Sequence, residues 1–520
     1  MSSGPPEKHL LQRMTPVEAV ASVALGRRRG EIPSVVTREG LDGRRSAIAI
    51  AVAAILALAL ARPAPAQAPA SPDRPWAIPE SASARAAQLA EHATPVPQKR
   101  YELAELIDLA ERTNPQTRAA WEMARAAAAA EGLVESQFLP QLSFEALGGY
   151  EHTPLPAPKD LVPKGYFESH TQEFIPSLAL KWLLFDFGRR SASLQAAKAD
   201  SFSANVAFTG THQAVIFSVS QAYFDLGAAR GRLHAAQKAL STAQTSQDAA
   251  NAKRSNGLAT VVSVAQAERQ TAQSRYNLTA AEGATTTAMA NLIATLGIDA
   301  GTELDVADSA EMPLPPAPQE SVREAIKQAL THRPDVLAAL GQIDSAEASL
   351  KGAQRAYYPV ISVAAHAFQN MGAVSSDGKP YSSIDKPGAN ILLSFSIPIY
   401  DGGMRSSQVS VARAKVREAE EKLDQTRDSA SQQVVKAYNG LVTSLSEYDA
   451  ATALSQAAHT AYDAALGSFK HGVGTYTDLV TEENAVVQAE TQVEDARASA
   501  HTAAAALAFA MGTIGSSPPQ

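Results

Sequence analysis

The sequence predicts a mainly α protein that also carries a membrane β-barrel: a long α-helical barrel plus a transmembrane β-barrel, with four strands per protomer and an internal two-fold repeat. Three observations predict it. Landmarks in the first half of the 520-residue chain recur in the second half at a held offset. Four runs of about ten residues alternate apolar and polar, the length and pattern of strands that cross a bilayer at a tilt. Two stretches of roughly seventy residues, rich in Ala, Gln, Ser, Glu and Lys, read as helices about 100 Å long.

Composition narrows the alternatives. The chain is 45% hydrophobic but only 6% aromatic and 19% charged, and it contains no cysteine. A disulfide framework, a thiolate metal site, a cysteine nucleophile and a lipoprotein-type anchor are therefore excluded. A formal charge of −8 argues against a nucleic-acid partner, which needs a basic face. A mean hydropathy of −0.13 and the lack of long apolar runs argue against a polytopic helical membrane protein.

From the N-terminus, residues 1–66 read as an extension and a signal peptide. The apolar run 46–61 follows Arg44 and Arg45 and precedes the small-residue sites Ala64-Pro-Ala66 and Ala66-Gln-Ala68, the order of a cleavable export signal. The 43 residues before Arg44 suggest a start codon placed too far upstream. Residues 67–100 are rich in Ala, Pro and Ser and read as a linker.

The repeat organises the rest. Thr113-Asn114-Pro115 returns as His332-Arg333-Pro334, and Phe138-Leu139-Pro140 as Tyr357-Tyr358-Pro359, both at an offset of 219. Beyond them the offset is 215: Asp186-Phe187-Gly188 matches Asp401-Gly402-Gly403, Arg190 matches Arg405, Ala222-Tyr223 matches Ala437-Tyr438, and Gly257, Thr260 and Gly297 match Gly472, Thr475 and Gly512. Residues 101–297 and 320–512 are thus two copies of one unit, joined by a linker at 298–319 and followed by a tail at 513–520. A loop differing by four residues falls between the proline and the aspartate.

Each copy opens with a short helix that ends before an Asn-Pro or Arg-Pro step, because proline disfavours helix in the residue before it. A second helix follows, then strands at about 141–150 and 174–185 in the first copy and 360–369 and 390–400 in the second. Polar loops at 151–173 and 371–388 lie between them. A very long helix comes next, then a tight turn at Gly257 or Gly472 and a shorter helix back; glycine is expected where such a hairpin reverses. The two shorter helices stacked end to end would match the long one, which suggests a cylinder with walls of even height. Four strands cannot close a barrel, since about eight is the smallest number seen in membranes. An open edge cannot stand in lipid. The chain must therefore pool strands with other copies, and the whole reads as a duct.

These features resemble the TolC family of outer-membrane efflux and secretion channels (outer membrane factors) across essentially all of 101–512. The resemblance is carried by Leu393-Ser-Phe-Ser-Ile-Pro-Ile-Tyr-Asp-Gly-Gly403, Trp182-Leu-Leu-Phe-Asp-Phe-Gly188, Asn114-Pro115, Ala222-Tyr223, and Gly472-Val-Gly-Thr475 followed by Asp478-Leu479. It implies a homotrimer with a twelve-stranded barrel in the outer membrane and a twelve-helix tunnel in the periplasm. It also implies docking to a periplasmic adaptor and to an inner-membrane RND or ABC pump, the channel itself being passive. In the family, acidic residues just past the second hairpin turn ring the periplasmic mouth. Asp478 matches the first such position; the next is Thr481 here, with Glu482 and Glu483 as candidate substitutes, while Ser263 stands at the first-copy equivalent of Asp478. The tyrosine and arginine that latch the closed mouth in TolC itself fall at Phe469 and Gly474, which points to a different constriction.

Other candidates are the hairpin-turn residues Gly257, Gly472 and Gly474, the strand-to-helix junctions Asp186, Gly188, Asp401 and Gly403, and the interface aromatics Phe185, Phe187, Tyr357, Tyr358 and Tyr400. Gly472-Val-Gly-Thr475 is not a phosphate loop, since no lysine follows and helices flank it. The eleven histidines include no HExxH and no pair with a carboxylate at ligand spacing, so no metal site, cofactor or catalytic site is predicted. Three functional readings stand: a small-molecule efflux duct, the same duct dedicated to protein toxins, and a periplasmic coiled-coil adaptor. The duplicated strand pairs count against the adaptor.

Overall fold

The computed structural model describes residues 96–515 together with Arg85. The export signal and its extension, the linker as far as residue 95 apart from Arg85, and the tail from 516 lie outside the described residues. The first copy comprises β1 (Arg100–Tyr101), α1 (Leu103–Thr113), α2 (Pro115–Glu135), β2 (Gln141–Pro156), β3 (Tyr166–Phe185), α3 (Arg189–Ser255) and α4 (Val261–Leu296). After β4 (Asp305–Val306) the series returns as α5 (Val322–His332), α6 (Pro334–Arg355), β5 (Val360–Ser376), β6 (Ser382–Ser396), α7 (Met404–Lys470) and α8 (Tyr476–Ala510). The two long helices, α3 and α7, have 67 residues each, about 100 Å of helix.

The shorter helices do stack end to end. Asn114 caps α2 by accepting the Gln116 N–H at 2.7 Å, and Pro115 occupies the first helical position, where no N–H is needed. The same Asn114 amide donates to the Thr295 carbonyl at 2.8 Å, and the Thr113 hydroxyl donates to Leu296 O at 2.6 Å, so the last carbonyls of α4 are satisfied by the start of α2. Gly297 turns the chain there with φ 70°, and a Cβ on it would lie 2.7 Å from Pro115 Cδ. In the second copy Arg333 takes over Asn114's role, donating to Ala510 O at 3.0 Å beside Gly512. The largest cluster of buried side chains surrounds the first joint, with Leu106, Val219, Tyr223, Leu226, Leu292 and Leu296 at its centre. β1 and β4 pair in parallel over it, so the end of the first predicted linker and the interior of the second are held against the helices.

Toward the hairpin ends, alanine carries the packing. Ala236, Ala239, Ala243, Ser246 and Ala250 are buried on α3 at alternating steps of three and four. Val264, Ala267, Thr271 and Ser274 repeat that spacing on α4. This is the heptad seam of a left-handed coiled coil, and small residues on it let the backbones approach closely.

The four long strands form one antiparallel sheet in the order β2-β3-β5-β6, with β2 and β6 each paired on one side only. They are longer than the sequence pattern predicts: 16, 20, 17 and 15 residues. Most of the predicted loops 151–173 and 371–388 are strand, because each has a paired neighbour to complete its ladder. Only 157–165 and 377–381 remain as turns, and their difference in length accounts for the change of offset. Prolines did not stop the strands, for a local reason. Pro154, Pro156 and Pro387 lie on the one-sided strands, and the β3–β5 pairing skips Ile175 and Pro176. β6, by contrast, ends at Ser396 instead of continuing to residue 400. Its partner β5 begins at Val360, directly opposite Ser396, so nothing remains to pair with.

Cross-strand register puts Leu142, Phe144, Leu178, Trp182, Val363, Ile391, Leu393 and Phe395 on one face of the sheet. Gln141, Ser143, Lys181, Ser362 and Ser394 lie on the other. The apolar face has no cover among the described residues; Ile391 and Leu393 are 79% and 71% exposed. Among the described residues no helix is long and apolar enough to cross a membrane.

Candidate functional site

Two regions gather the predicted residues: the junction between sheet and helices, and the far ends of the helical hairpins. At the junction each copy uses one device. The Asp186 carboxylate accepts from Gly188 N–H at 3.3 Å and from Arg190 N–H and Nε at 2.9 and 3.1 Å. Asp401 accepts from Gly403 N–H, Arg405 N–H and Arg405 Nε at 3.1, 3.1 and 2.6 Å. The carboxylate thus occupies the positive end of a 67-residue helix, where anions are favoured. The arginine fastens that helix to the sheet. Arg190 donates to Gln137 O and Leu184 O and lies over the Phe138 ring; Arg405 donates to Pro398 O and lies over Tyr357. Arg405 holds the Asp401 carboxyl below its usual range. Gly188 and Gly403 have φ near 90°, which a side chain would strain.

Of the aromatics, Phe185, Phe187 and Tyr358 come together. Phe187 meets Phe185 edge-on at 4.6 Å between centroids and stacks on Tyr358 at 5.6 Å. Tyr357 pairs with Arg405 instead. Tyr400 stands apart at 89% exposure next to Ile399 at 91%. Arg190 and Arg405 entered the sequence reading only as repeat markers; the Asp-x-Gly-x-Arg spacing, present twice, is the signal for their role.

At the hairpin ends, Gly257 and Gly472 adopt φ of 72° and 77°. In both turns a 6→1 bond closes the long helix, Leu258 N–H to Lys253 O and Val473 N–H to Ser468 O, as in a Schellman motif. Gly474 serves differently: a Cβ on it would lie 2.9 Å from Ser468 Cβ. Thr260 and Thr475 cap the returning helices. Asp478 completes a capping box with Thr475, its carboxylate accepting from Thr475 N–H and hydroxyl at 3.1 and 2.7 Å. Those bonds, the hydroxyl's above all, lower its pKa, so this exposed group stays anionic.

The three acidic candidates separate. Asp478 is exposed and Glu482 half-buried, but Glu483 is 3% exposed and points into the helix packing. Among the described residues neither of its carboxylate oxygens has a hydrogen-bond partner, and burial raises its pKa to about 7. Tyr476, Leu479, Glu483 and Val486 are spaced 3-4-3, so Glu483 stands on the heptad seam. That spacing was visible in the sequence. It borders a pocket of about 160 Å³ with Tyr462, His459, Glu490 and Lys238. Phe469 meets Tyr476 edge-on, and the Lys253 ammonium of the first hairpin lies 3.7 Å above the Phe469 ring while donating to Phe469 O at 2.7 Å. Lys253 was missed in the sequence because its partner lies 216 residues away.

Comparison with known proteins decides what this arrangement belongs to. Residues 106–298 and 325–513 each match the family described as Outer membrane efflux protein. The chain is a member of the outer membrane efflux protein family. Like TolC of Escherichia coli among its relatives, it is a TolC-family outer-membrane channel with a periplasmic helical tunnel, and it is not an enzyme. It is similar to Protein CyaE of Bordetella pertussis, with 27% identity over 85% of this chain and 91% of that one. It is similar also to the outer membrane efflux protein BepC of Brucella suis, with 26% identity over 65% and 72%. The CmeC outer membrane channel of Campylobacter jejuni superposes on it with a TM-score of 0.66 at 21% identity, over 80% of this chain and 87% of that one.

Proposed function

We propose that the protein is the exit duct of a tripartite efflux or type I secretion assembly. Three copies enclose one passage that carries substrate passively outward from an inner-membrane RND or ABC pump and a periplasmic adaptor. The observation that carries this reading is the four-stranded sheet with two unpaired edges and one uncovered apolar face. Lipid solvates the face but cannot satisfy the edges. Joining β2 of one copy to β6 of the next removes every edge, and three copies supply twelve strands. The junction carries each strand pair into a helix of about 100 Å, so the wall continues below the membrane.

Asp478 and Glu482 are proposed as the charged positions of the periplasmic mouth. Three copies of the anionic Asp478 brought together repel anions and hold cations. Protein extracted in mild detergent is expected to migrate as a trimer and to conduct ions in planar bilayers; a monomer without conductance overturns the reading. Asp478→Ala is expected to weaken cation selectivity or divalent block, and unchanged conductance would remove this residue from the mouth. Neighbouring genes for a pump and adaptor, or for an exported toxin, separate efflux from secretion.

A further inference from the structure

Histidines scattered in the sequence are brought together by the β2–β3 hairpin. His152 on β2 lies directly opposite His170 on β3. Their rings stack at 4.4 Å with 8° between planes, and Glu168, two residues before His170, shares their face of the sheet. One ligand atom from each residue lies within 4.8 Å of the other two. Both Nε2 atoms stand 4.0 Å from Glu168 Oε2. This corrects the expectation that no histidine pairs with a carboxylate at ligand spacing: the strand register supplies a proximity that linear spacing does not show.

We propose that His152, Glu168 and His170 form a binding site for a divalent first-row transition-metal ion. Two imidazoles and one carboxylate are the borderline N/O donor set that suits zinc, cobalt, nickel or copper better than calcium or magnesium. Metal–ligand bonds of about 2.0–2.2 Å in a tetrahedron place ligand atoms about 3.3 Å apart. The two carboxylate–imidazole separations of 4.0 Å, and an imidazole–imidazole separation within 4.8 Å, close to that value once the two rings tilt out of their stack toward a common ion. Water completes the coordination on the open side.

Two further contacts show that the site is held. The Tyr150 hydroxyl lies 2.6 Å from His170 Nδ1. Accepting the Nδ1 proton there leaves Nε2 as the ligating atom and fixes the ring, the outer-shell arrangement usual for metal-bound histidine. The backbone of Glu168 is clamped by the turn of the neighbouring hairpin: its N–H donates to the Asp377 carboxylate at 3.0 Å, and its carbonyl accepts the Asp377 N–H at 2.9 Å. Register also locates the site along the strand. His152 lies ten residues beyond Leu142 on the same face, about 34 Å along the strand. Allowing for a tilt of about 40°, that is the height of the apolar band of a membrane barrel. The site therefore stands at the far rim of that band from the helices. A bound ion there clamps the one-sided strand β2 to its neighbour at the outlet.

The test uses the full chain as purified assembly without a polyhistidine tag, stripped with chelator and titrated with Zn²⁺ or Co²⁺. One ion per protomer is expected. His170→Ala and Glu168→Gln are each expected to weaken binding at least about ten-fold, and Tyr150→Phe by a smaller factor. Glu168→Gln keeps the shape of the side chain and decides the matter if the alanine variant fails to assemble. The proposal is overturned if the wild type binds no ion at about 100 μM free Zn²⁺, or if Glu168→Gln binds with unchanged stoichiometry and affinity. It does not depend on the pump or adaptor, so failure here leaves the duct reading standing.

Discussion

Glu483 shows how one residue sets the sign of a pH dependence. Burial raises its carboxyl to about 7 from an ordinary 4.5, so between those values the folded chain holds a proton that the unfolded chain has released. Stability therefore falls as pH rises through that window, and the penalty is complete above pH 7, at about 3 kcal/mol per protomer. Glu483→Gln is expected to raise the midpoint of thermal unfolding at pH 8 and to leave it nearly unchanged at pH 4.5; an equal shift at both would show that the effect is packing and not charge. His501, stacked on Phe224 at 4.7 Å, works in the opposite direction. Burial lowers its pKa, so stability is lost as pH falls through its unfolded value near 6.5. Asp186 and Arg190 form the other sensitive pair, both less than 10% exposed. Asp186→Ala leaves Arg190 buried without its anion and uncaps α3, for which about 3–5 kcal/mol is expected. Chemical denaturation of the assembled protein measures it, and a loss below about 1 kcal/mol would show the pair to be solvated.

At the scale of elements, the joint between α4 and α2 can be separated from a simple turn by comparing glycines. Gly297 and Gly257 both have φ near 70°, so alanine strains the backbone equally at either, by about 1 kcal/mol. Only at Gly297 does the new Cβ run into Pro115 and Asn114, at 2.7 and 2.8 Å; at Gly257 it meets open space. Gly297→Ala is therefore expected to lower thermal stability clearly more than Gly257→Ala. Equal effects would mean that the stacked helices are not tightly joined. How far the elements could be read from the sequence depended on what ended each one. Helix limits were legible because the chain marks them itself, with Asn114-Pro115, Gly257, Gly297 and Gly472. Strand limits at 150 and 174 were misjudged because a strand ends where its neighbour stops pairing, and neither Pro154 nor Pro176 prevents that pairing.

For the whole molecule, the uncovered surfaces are where neighbouring copies bear in the proposed trimer. Ile399 and Tyr400 lie just past β6, beside an edge unpaired among the described residues, and are 91% and 89% exposed. Ile399→Asp is expected to reduce the detergent-resistant trimer, read by native electrophoresis; an unchanged trimer would place the contact elsewhere. At the opposite end Lys253 ties the first hairpin to Phe469 of the second. Lys253→Ala is expected to loosen the mouth and raise single-channel conductance several-fold, in line with a contact of about 1–2 kcal/mol. Unaltered conductance would show that this tie is not part of the constriction.

The sequence by itself determined the repeat, the lengths of the helices, the positions of the hairpin turns and a strand count too small to close a barrel. All of these follow from local signals or from counting: capping residues, glycine at positive φ, periodicity, and too few strands to close a barrel. Only the tertiary structure decided which side chains face one another. It buried Glu483 on the α8 seam while leaving Asp478 exposed on its capping box, set Lys253 on Phe469, and brought His152 against His170 and Glu168. The physical reason is register. Strand pairing and helix packing bring together residues far apart in the chain, and in a strand a shift of one position would exchange one face for the other.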